Sequence, residues 1–252
     1  MEPYNANKLR IGISQCLLGD RVRFDGGHKR DNYIMTILSH YAEFMPVCPE
    51  VEIGMGIPRP PIHQKGNVDD PMVVGVKDES LDVTIPLKKF SHNYVKHLDD
   101  LSGFILKSKS PTCVMERVKV YQGKGQSLRS GIGVFAKALM DAHPHLPIEE
   151  EGRLKDPMLR ENFITRIFAY HRFLHLKQNK MTPAKLVHFH TQHKLLLRSH
   201  NEAGYQRLGR LIATMKTKPF IEIQQLYLTE FMHCLKTRST NKKHANVLSH
   251  LV

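Results

Sequence analysis

Apolar residues come in short bursts through the first half of the chain. Leu9–Ser14 (LRIGIS) and Gly103–Lys107 (GFILK) are continuous stretches of strand length and read as buried strands. Phe44–Val47 reads as a further strand, ending at Cys48, and Met72–Val76 and Leu81–Ile85 as shorter ones. Between them, Asn32–Phe44, Ser91–Leu101 and Gly131–Ala142 carry helical patterns, the last after a Gly-rich turn. Short apolar strands separated by helices predict a parallel α/β sheet.

The pattern changes after His143–Glu151 (HPHLPIEEE), where two prolines and three acids read as a linker. Pro157–Lys177 sets Phe163, Ile167, Tyr170 and Leu174 at three- and four-residue spacing, predicting one long helix. Thr182-Pro183 forms an N-cap and N1 pair that opens Ala184–Arg198. Glu202–Met215 and Phe220–Thr237 follow, and a last apolar-periodic stretch, His244–Val252, ends abruptly, as a short or truncated terminus would. The expectation is an α/β, Rossmann-like domain over 1–147, followed by an all-α helical domain over 148–252.

Composition places this pattern in a globular chain. It has 252 residues, 41% of them apolar, without repeats or low-complexity tracts. No apolar run approaches the ~20 residues that span a bilayer, so no membrane association is expected. The polar start, Met1–Arg10, lacks the apolar core of a secretory signal, which makes the cytoplasm the expected compartment. In that reducing setting four cysteines read as thiols or metal ligands rather than disulfides.

The net charge of +13 is unevenly spread. Residues 1–147 hold 19 Lys+Arg against 16 Asp+Glu, and residues 148–252 hold 18 against 8. A half this basic points to an anionic partner, nucleic acid ahead of membrane, the alternative being a solvated basic face. Lys185, Lys194, Arg198, Arg207 and Arg210 are the candidate RNA-binding residues, through phosphate contacts. Tyr205, Tyr170 and Phe189 are candidates to stack on an unpaired base, although helical spacing favours the core for Phe189. His188, His190, His193 and His200 are dense, but HFHTQH lacks the acid and spacing of HExxH, so phosphate contact, capping or packing is preferred over metal. His171 and His175 invite the same reading. No protein partner is evident.

Cys16, Cys48 and Cys113 share a setting: each follows an expected strand and sits among turn residues. In open parallel sheets ligands bind at the carboxyl ends of strands, and three loops leaving one edge could bring the thiols together. Buried, inert thiols are the other reading, and without a CxxC signature spacing leaves both open. Zinc is a weaker rival, since structural zinc ligands come in close-spaced pairs. Cys234 lies in a helical pattern and reads as core. Glu50 alone reads as an exposed or N-capping carboxylate beside a proline turn and Ser110 as a turn residue. Gly54-x-Gly56 with Pro58-Arg59 is a weak phosphate-loop signal, with Arg59 as a guess for a substrate phosphate.

The segments SQCLLGDRVRFDGGHKRD (Ser14–Asp31), VCPEVEIGMGIPRPPI (Val47–Ile62) and LKSKSPTCV (Leu106–Val114) resemble the thiouracil desulfidase family, in order, from about Lys8 to Ala142. The region from about Arg153, with HFHTQHKLLLRSH (His188–His200) and YQRLGRLIA (Tyr205–Ala213), resembles a helical domain often fused behind such domains. The two-domain arrangement resembles desulfidases that remove sulfur from 4-thiouridine in transfer RNA. The resemblance implies a [4Fe–4S] cluster on Cys16, Cys48 and Cys113 with one iron not ligated by protein. It also implies a glutamate matching Glu50 and a serine best matching Ser110, with Ser108 the alternative. Val114 stands where the family often has glycine.

That likeness makes a hydrolytic, non-redox desulfidase acting on thiolated transfer RNA the leading expectation. A desulfidase for free thiouracil or thionucleotides is the nearest rival. A non-enzymatic RNA-binding protein with a structural metal belongs to a different class, and a thiol redox protein is disfavoured by the absence of CxxC.

Overall fold

Leu9–Ser14 forms β1, with Leu9, Ile11 and Ile13 buried, in a computed structural model that describes residues 8–122 and 126–239. β2 (Ala42–Val47) and β5 (Gly103–Leu106) run parallel to β1 on either side, and β8 (Ile148–Glu150) lies parallel beyond β5. Every residue of β5 is buried, as a strand covered on both faces requires. Pro46 lacks an N–H and sits in β2 at the edge of the sheet, where that costs least. The order β2-β1-β5-β8 places a topological switch point at β1, because the chain builds outward from it first one way and then the other.

Helices α1 (Asn32–Thr36), α2 (Pro49–Glu52), α3 (Thr84–Tyr94) and α4 (Val134–Ala142) complete this α/β layer. The helix expected over Asn32–Phe44 is shorter. Asp31 caps its start, a 3-10 turn follows at Leu38–His40, and the chain is extended from Ala42 because pairing with β1 overrides the helical pattern. Leu81–Ile85 is not a strand. Asp82 makes one bridge to Val74, and its carboxylate accepts the Thr84 N–H at 2.8 Å as α3 begins. The helix expected over Ser91–Leu101 therefore starts seven residues earlier, at Thr84, and passes into a 3-10 turn at Val95–His97.

A second sheet has the order β4-β3-β6-β7. Its strands are β3 (Ile62–Gly66), β4 (Pro71–Gly75), β6 (Val118–Tyr121) and β7 (Ser127–Gly131). β3 and β6 are parallel and the outer pairs antiparallel. Buried Gln64 on β3 donates to the carbonyls of Pro111 at 2.8 Å and Ile132 at 2.7 Å, tying this sheet to the loop that carries Cys113.

The segment expected to link two domains is partly sheet: Ile148–Glu150 pairs with Phe104–Leu106, and Glu149 accepts from Arg153 Nε at 2.6 Å. The chain divides into two units between Lys155 and Asp156.

The second unit is helical: α5 (Pro157–Gln178), α6 (Pro183–Gln192), α7 (Lys194–His200), α8 (Glu202–Ala213) and α9 (Phe220–Lys236). Asp156 caps α5 and Thr182 caps α6, each followed by proline at N1. The helix expected over Ala184–Arg198 breaks at His193, whose backbone leaves helical geometry while its ring packs on Phe189. Phe163, Ile167, Phe173, Phe189, Tyr227 and Phe231 form its core. The stretch His244–Val252 lies outside the described residues. Among the described residues no helix is long and apolar enough to cross a membrane.

Candidate functional site

The carboxyl ends of β2, β1 and β5 lie side by side, and each is followed by one cysteine. Cys16 sits in the 3-10 turn Gln15–Leu17 directly after β1. Cys48 caps α2 at the end of β2, with Pro49 at N1 and Glu50 in the first turn. Cys113 lies in the turn-rich segment after β5. All three are buried and line one cavity of about 180 Å³, together with Glu50, Arg59, Ser110 and Ser108. The Cys113 segment is clamped to α4: the N–H groups of Phe135 and Ala136 donate to Thr112 O at 3.0 and 3.2 Å, and Gly133 N–H to Val114 O at 2.8 Å. A Cβ on Gly133 would stand 2.4 Å from Thr112 O, so only glycine allows this approach.

Burial pushes all three thiols above their ordinary range: Cys48 to about 12, Cys113 well above it, and Cys16 in the same direction. The negative charge of Glu50 adds to the rise at Cys48 and Cys113, whereas Lys107 and Arg23 oppose it at Cys16. Among the described residues no group of three or more His, Cys, Asp or Glu side chains converges as one metal ion would require. Three thiols from separate loops facing one cavity are a soft donor set, of the kind that holds iron–sulfur centres.

Glu50 is buried among polar contacts. Ser110 Oγ donates to its Oε1 at 3.5 Å, and the Cys48 thiol to its Oε2 at 3.4 Å. The Arg59 guanidinium stands 3.9 Å from Oε2 and donates to the carbonyls of Val22 at 2.9 Å and Gly56 at 3.2 Å. Arg59 is thus held in the wall of the cavity by these contacts. Gly54 and Gly56, at φ 85° and 77°, shape the turn that brings it back. Ser110 Oγ also accepts the N–H groups of Thr112 and Cys113, both at 3.2 Å.

Ser108 is engaged elsewhere. Its Oγ and N–H donate to Glu151 at 2.7 and 2.6 Å, and Lys107 Nζ pairs with the same carboxylate. Burial works to raise the Glu151 carboxyl, but the bonds from Lys107 and Ser108 outweigh it and hold it below the usual range. Ser110, not Ser108, reaches Glu50. Sequence reasoning missed the Lys107–Glu151–Ser108 clasp and Ser14, which accepts from Lys107 N–H at 2.9 Å and hydrogen-bonds the Cys113 thiol. Position at the end of β1 was the available signal for Ser14. Glu151, 43 residues beyond Ser108, carried none.

The candidate RNA-binding residues of the helical unit are not equally available. Lys185 Nζ donates to the carbonyls of Asn179 and Lys180, Arg198 pairs with Glu202 at 2.7 Å, and Arg207 pairs with Glu230 at 2.7 Å. The side chains of Lys194 and Arg210 are exposed and without a hydrogen-bond or ion-pair partner among the described residues. His190 stacks on Tyr205 with ring centroids 4.9 Å apart, while Phe189 and Tyr170 are buried. Cys234 is buried in α9, its Sγ 3.5 Å from Glu230, and does not line the thiol cavity.

Residues 11–151 match the model of a family described as 2-thiouracil desulfurase. Residues 194–252 match that of a family described as a protein of unknown function, DUF1722. A curated Escherichia coli (strain K12) protein, "Uncharacterized protein YbgA", is 26% identical over 92 residues, which are 36% of this chain and 54% of that one. The chain thus spans about half the length of this curated relative. A solved structure described as "[4Fe-4S]-dependent thiouracil desulfidase TudS" is 29% identical and aligns over 59% of this chain and 95% of its own, with a TM-score of 0.47.

Proposed function

The chain belongs to the 2-thiouracil desulfurase family, a family of desulfidase enzymes, and from that premise we propose that it is a cytoplasmic hydrolase that converts 4-thiouridine in transfer RNA to uridine. The oxygen of water replaces the thiocarbonyl sulfur, which leaves as hydrogen sulfide, with no net oxidation or reduction. The observation that carries this reading is the meeting of three buried cysteines from three strand ends with Glu50 and Ser110 in one cavity.

Cys16, Cys48 and Cys113 would hold a [4Fe–4S] cluster through three thiolates, and the iron left without a protein ligand would supply a Lewis-acid site with affinity for sulfur. Glu50 accepts a proton from water at the ring carbon. The Ser110 hydroxyl fixes one carboxylate oxygen and the Arg59 guanidinium faces the other, so the base keeps one orientation. The buried setting of Glu50 limits competing water around it.

Transfer RNA is favoured over free thiouracil because a small base needs no surplus of cations, whereas residues 148–252 carry 18 against 8 acids. A family of enzymes also leaves a purely RNA-binding role without support. The test is anaerobic reconstitution with iron and sulfide, incubation with bulk bacterial transfer RNA, and mass spectrometry of its nucleosides. 4-Thiouridine disappears with the intact protein and persists with Cys113→Ala. Conversion of free 2-thiouracil without loss of 4-thiouridine would make the free base the substrate. Inertness of the reconstituted protein toward both would end the desulfidase reading for this chain.

A further inference from the structure

The second sheet turns one face inward and one outward. Gln64, Val118 and Val120 are buried on the inner face. The register pairs Gln64 with Val120 and Lys119 with Arg129, so His63, Lys119, Tyr121 and Arg129 share the outer face. The rings of His63 and Tyr121 stack there, with centroids 4.8 Å apart and planes at 29°.

These four residues help line a groove of about 640 Å³, against about 180 Å³ for the thiol cavity. The two share a rim: Ile62, Ser108, Lys109, Ser110 and Pro111 line both. Whatever lies in the groove therefore borders what enters the cavity.

The groove is basic. Lys109, Arg117, Lys119 and Arg129 line it, are exposed, and have side chains without a hydrogen-bond or ion-pair partner among the described residues. Arg153 also lines it but is paired with Glu149 and Glu116. The two acids in the lining are occupied, Glu116 by Arg153 and Glu150 by the Met115 N–H. His63 Nε2 is buried and unpartnered. Lys109 and Arg117 both adopt left-handed backbone, at φ 61° and 63°. Such outliers gather where a side chain must be held in place for a ligand.

We infer that this groove carries the RNA strand next to the thiolated nucleotide, with phosphates on Lys109, Arg117, Lys119 and Arg129 and a neighbouring base against Tyr121 and His63. The inference rests on the desulfidase reading and deepens it, placing the polynucleotide contact on the catalytic unit. Free cations from two strands and a loop serve more than one phosphate, and an aromatic pair beside them is the composition of a single-strand platform. An unpaired strand here would present its thiolated base, turned out of the stack, to the shared rim.

The test uses the full chain and the double variant Lys119→Ala/Arg129→Ala, with Lys194→Ala/Arg210→Ala on the helical unit for comparison. The first arm needs no cluster: a fluorescein-labelled single-stranded oligouridylate is titrated by anisotropy at several salt concentrations. The groove variant binds about tenfold more weakly or worse, and its salt slope falls by about 1.4, two contacts at ~0.7 each. Unchanged affinity and slope would overturn the inference, as would a loss confined to the helical-unit variant. The second arm compares kcat/KM for thiolated transfer RNA, 4-thiouridine 5′-monophosphate and free 2-thiouracil. The ratio of transfer RNA to free base falls at least about tenfold in the groove variant, and that of the monophosphate falls less. An equal fall for the monophosphate would reduce the groove to a single-phosphate site and defeat the strand assignment. Inert wild-type protein on all three substrates would remove the desulfidase reading, while the anisotropy arm would still decide whether the groove holds RNA.

Discussion

Glu50 meets a serine hydroxyl at 3.5 Å, a thiol at 3.4 Å and a guanidinium at 3.9 Å. A carboxylate placed so closely between a donor and a cation has a defined orientation, which a general base requires. Glu50→Gln keeps the shape and loses the carboxylate proposed as the base. It is expected to retain iron content and visible absorbance while turnover falls by about 10²-fold or more, and undiminished turnover would remove Glu50 from the role. Ser110→Ala should lower kcat well beyond Ser108→Ala, because Ser108 is spent on Glu151. Both serines stand in one Ser-Lys-Ser-Pro run, so the sequence could not separate them, and only the fold shows which hydroxyl turns toward Glu50. Arg59 was visible as a residue but not in its role, since that depends on a carbonyl 37 positions away, at Val22.

At the scale of elements, what was legible had a local cause. β1 and β5 announced themselves because both faces are buried, α5 through its apolar residues at helical spacing, and α6 because its cap and N1 proline are written in adjacent letters. Of the second sheet only β4 was legible, as Met72–Val76; Ile62–Gly66 (IHQKG) and Ser127–Gly131 (SLRSG) are mostly polar and become strands through pairing with β6, far along the chain for β3 and across a hairpin for β7. The cysteine loops were legible as a set because each follows a strand of one sheet. The anchoring of the Cys113 loop to α4 was not, since it runs through Gly133. Ala at that position would push against Thr112 O and Cys113 N, at 2.4 and 2.8 Å from its Cβ, and backbone on both sides leaves little room to yield. Gly133→Ala should therefore cost about 1–3 kcal/mol. It should also lower the iron bound per chain on reconstitution, read by thermal melting and iron assay together. A full complement of iron at unchanged Tm would show that α4 does not set the position of Cys113.

Over the whole molecule the two units carry different charge chemistry. The basic excess lies after Arg153, with 18 cations against 5 acids, yet three of the five cations singled out there are held by carboxylates or carbonyls. The free cations beside the thiol cavity belong to the less basic half, which is why charge counting pointed to the other one. The helical unit differs in a second way, through its buried and half-buried histidines. His193 lies between Phe189 and Phe231, and burial lowers its pKa from the ordinary 6.5, against the opposing bond to Phe189 O. Burial likewise lowers His190, and burial with the charge of His175 lowers His171. In each case the unfolded chain takes up the proton first as pH falls. The stability these groups contribute is therefore complete above about pH 6.5 and is lost as pH drops through their folded values. Calorimetry of the full chain should show the helical unit melting lower at pH 5.5 than at pH 7.5, by about 4–8 °C for each kcal/mol lost. His193→Gln should shrink that shift whatever it does to the Tm itself, because the variant has one fewer group to protonate. A shift of the same size in the variant would assign the acid sensitivity to other groups.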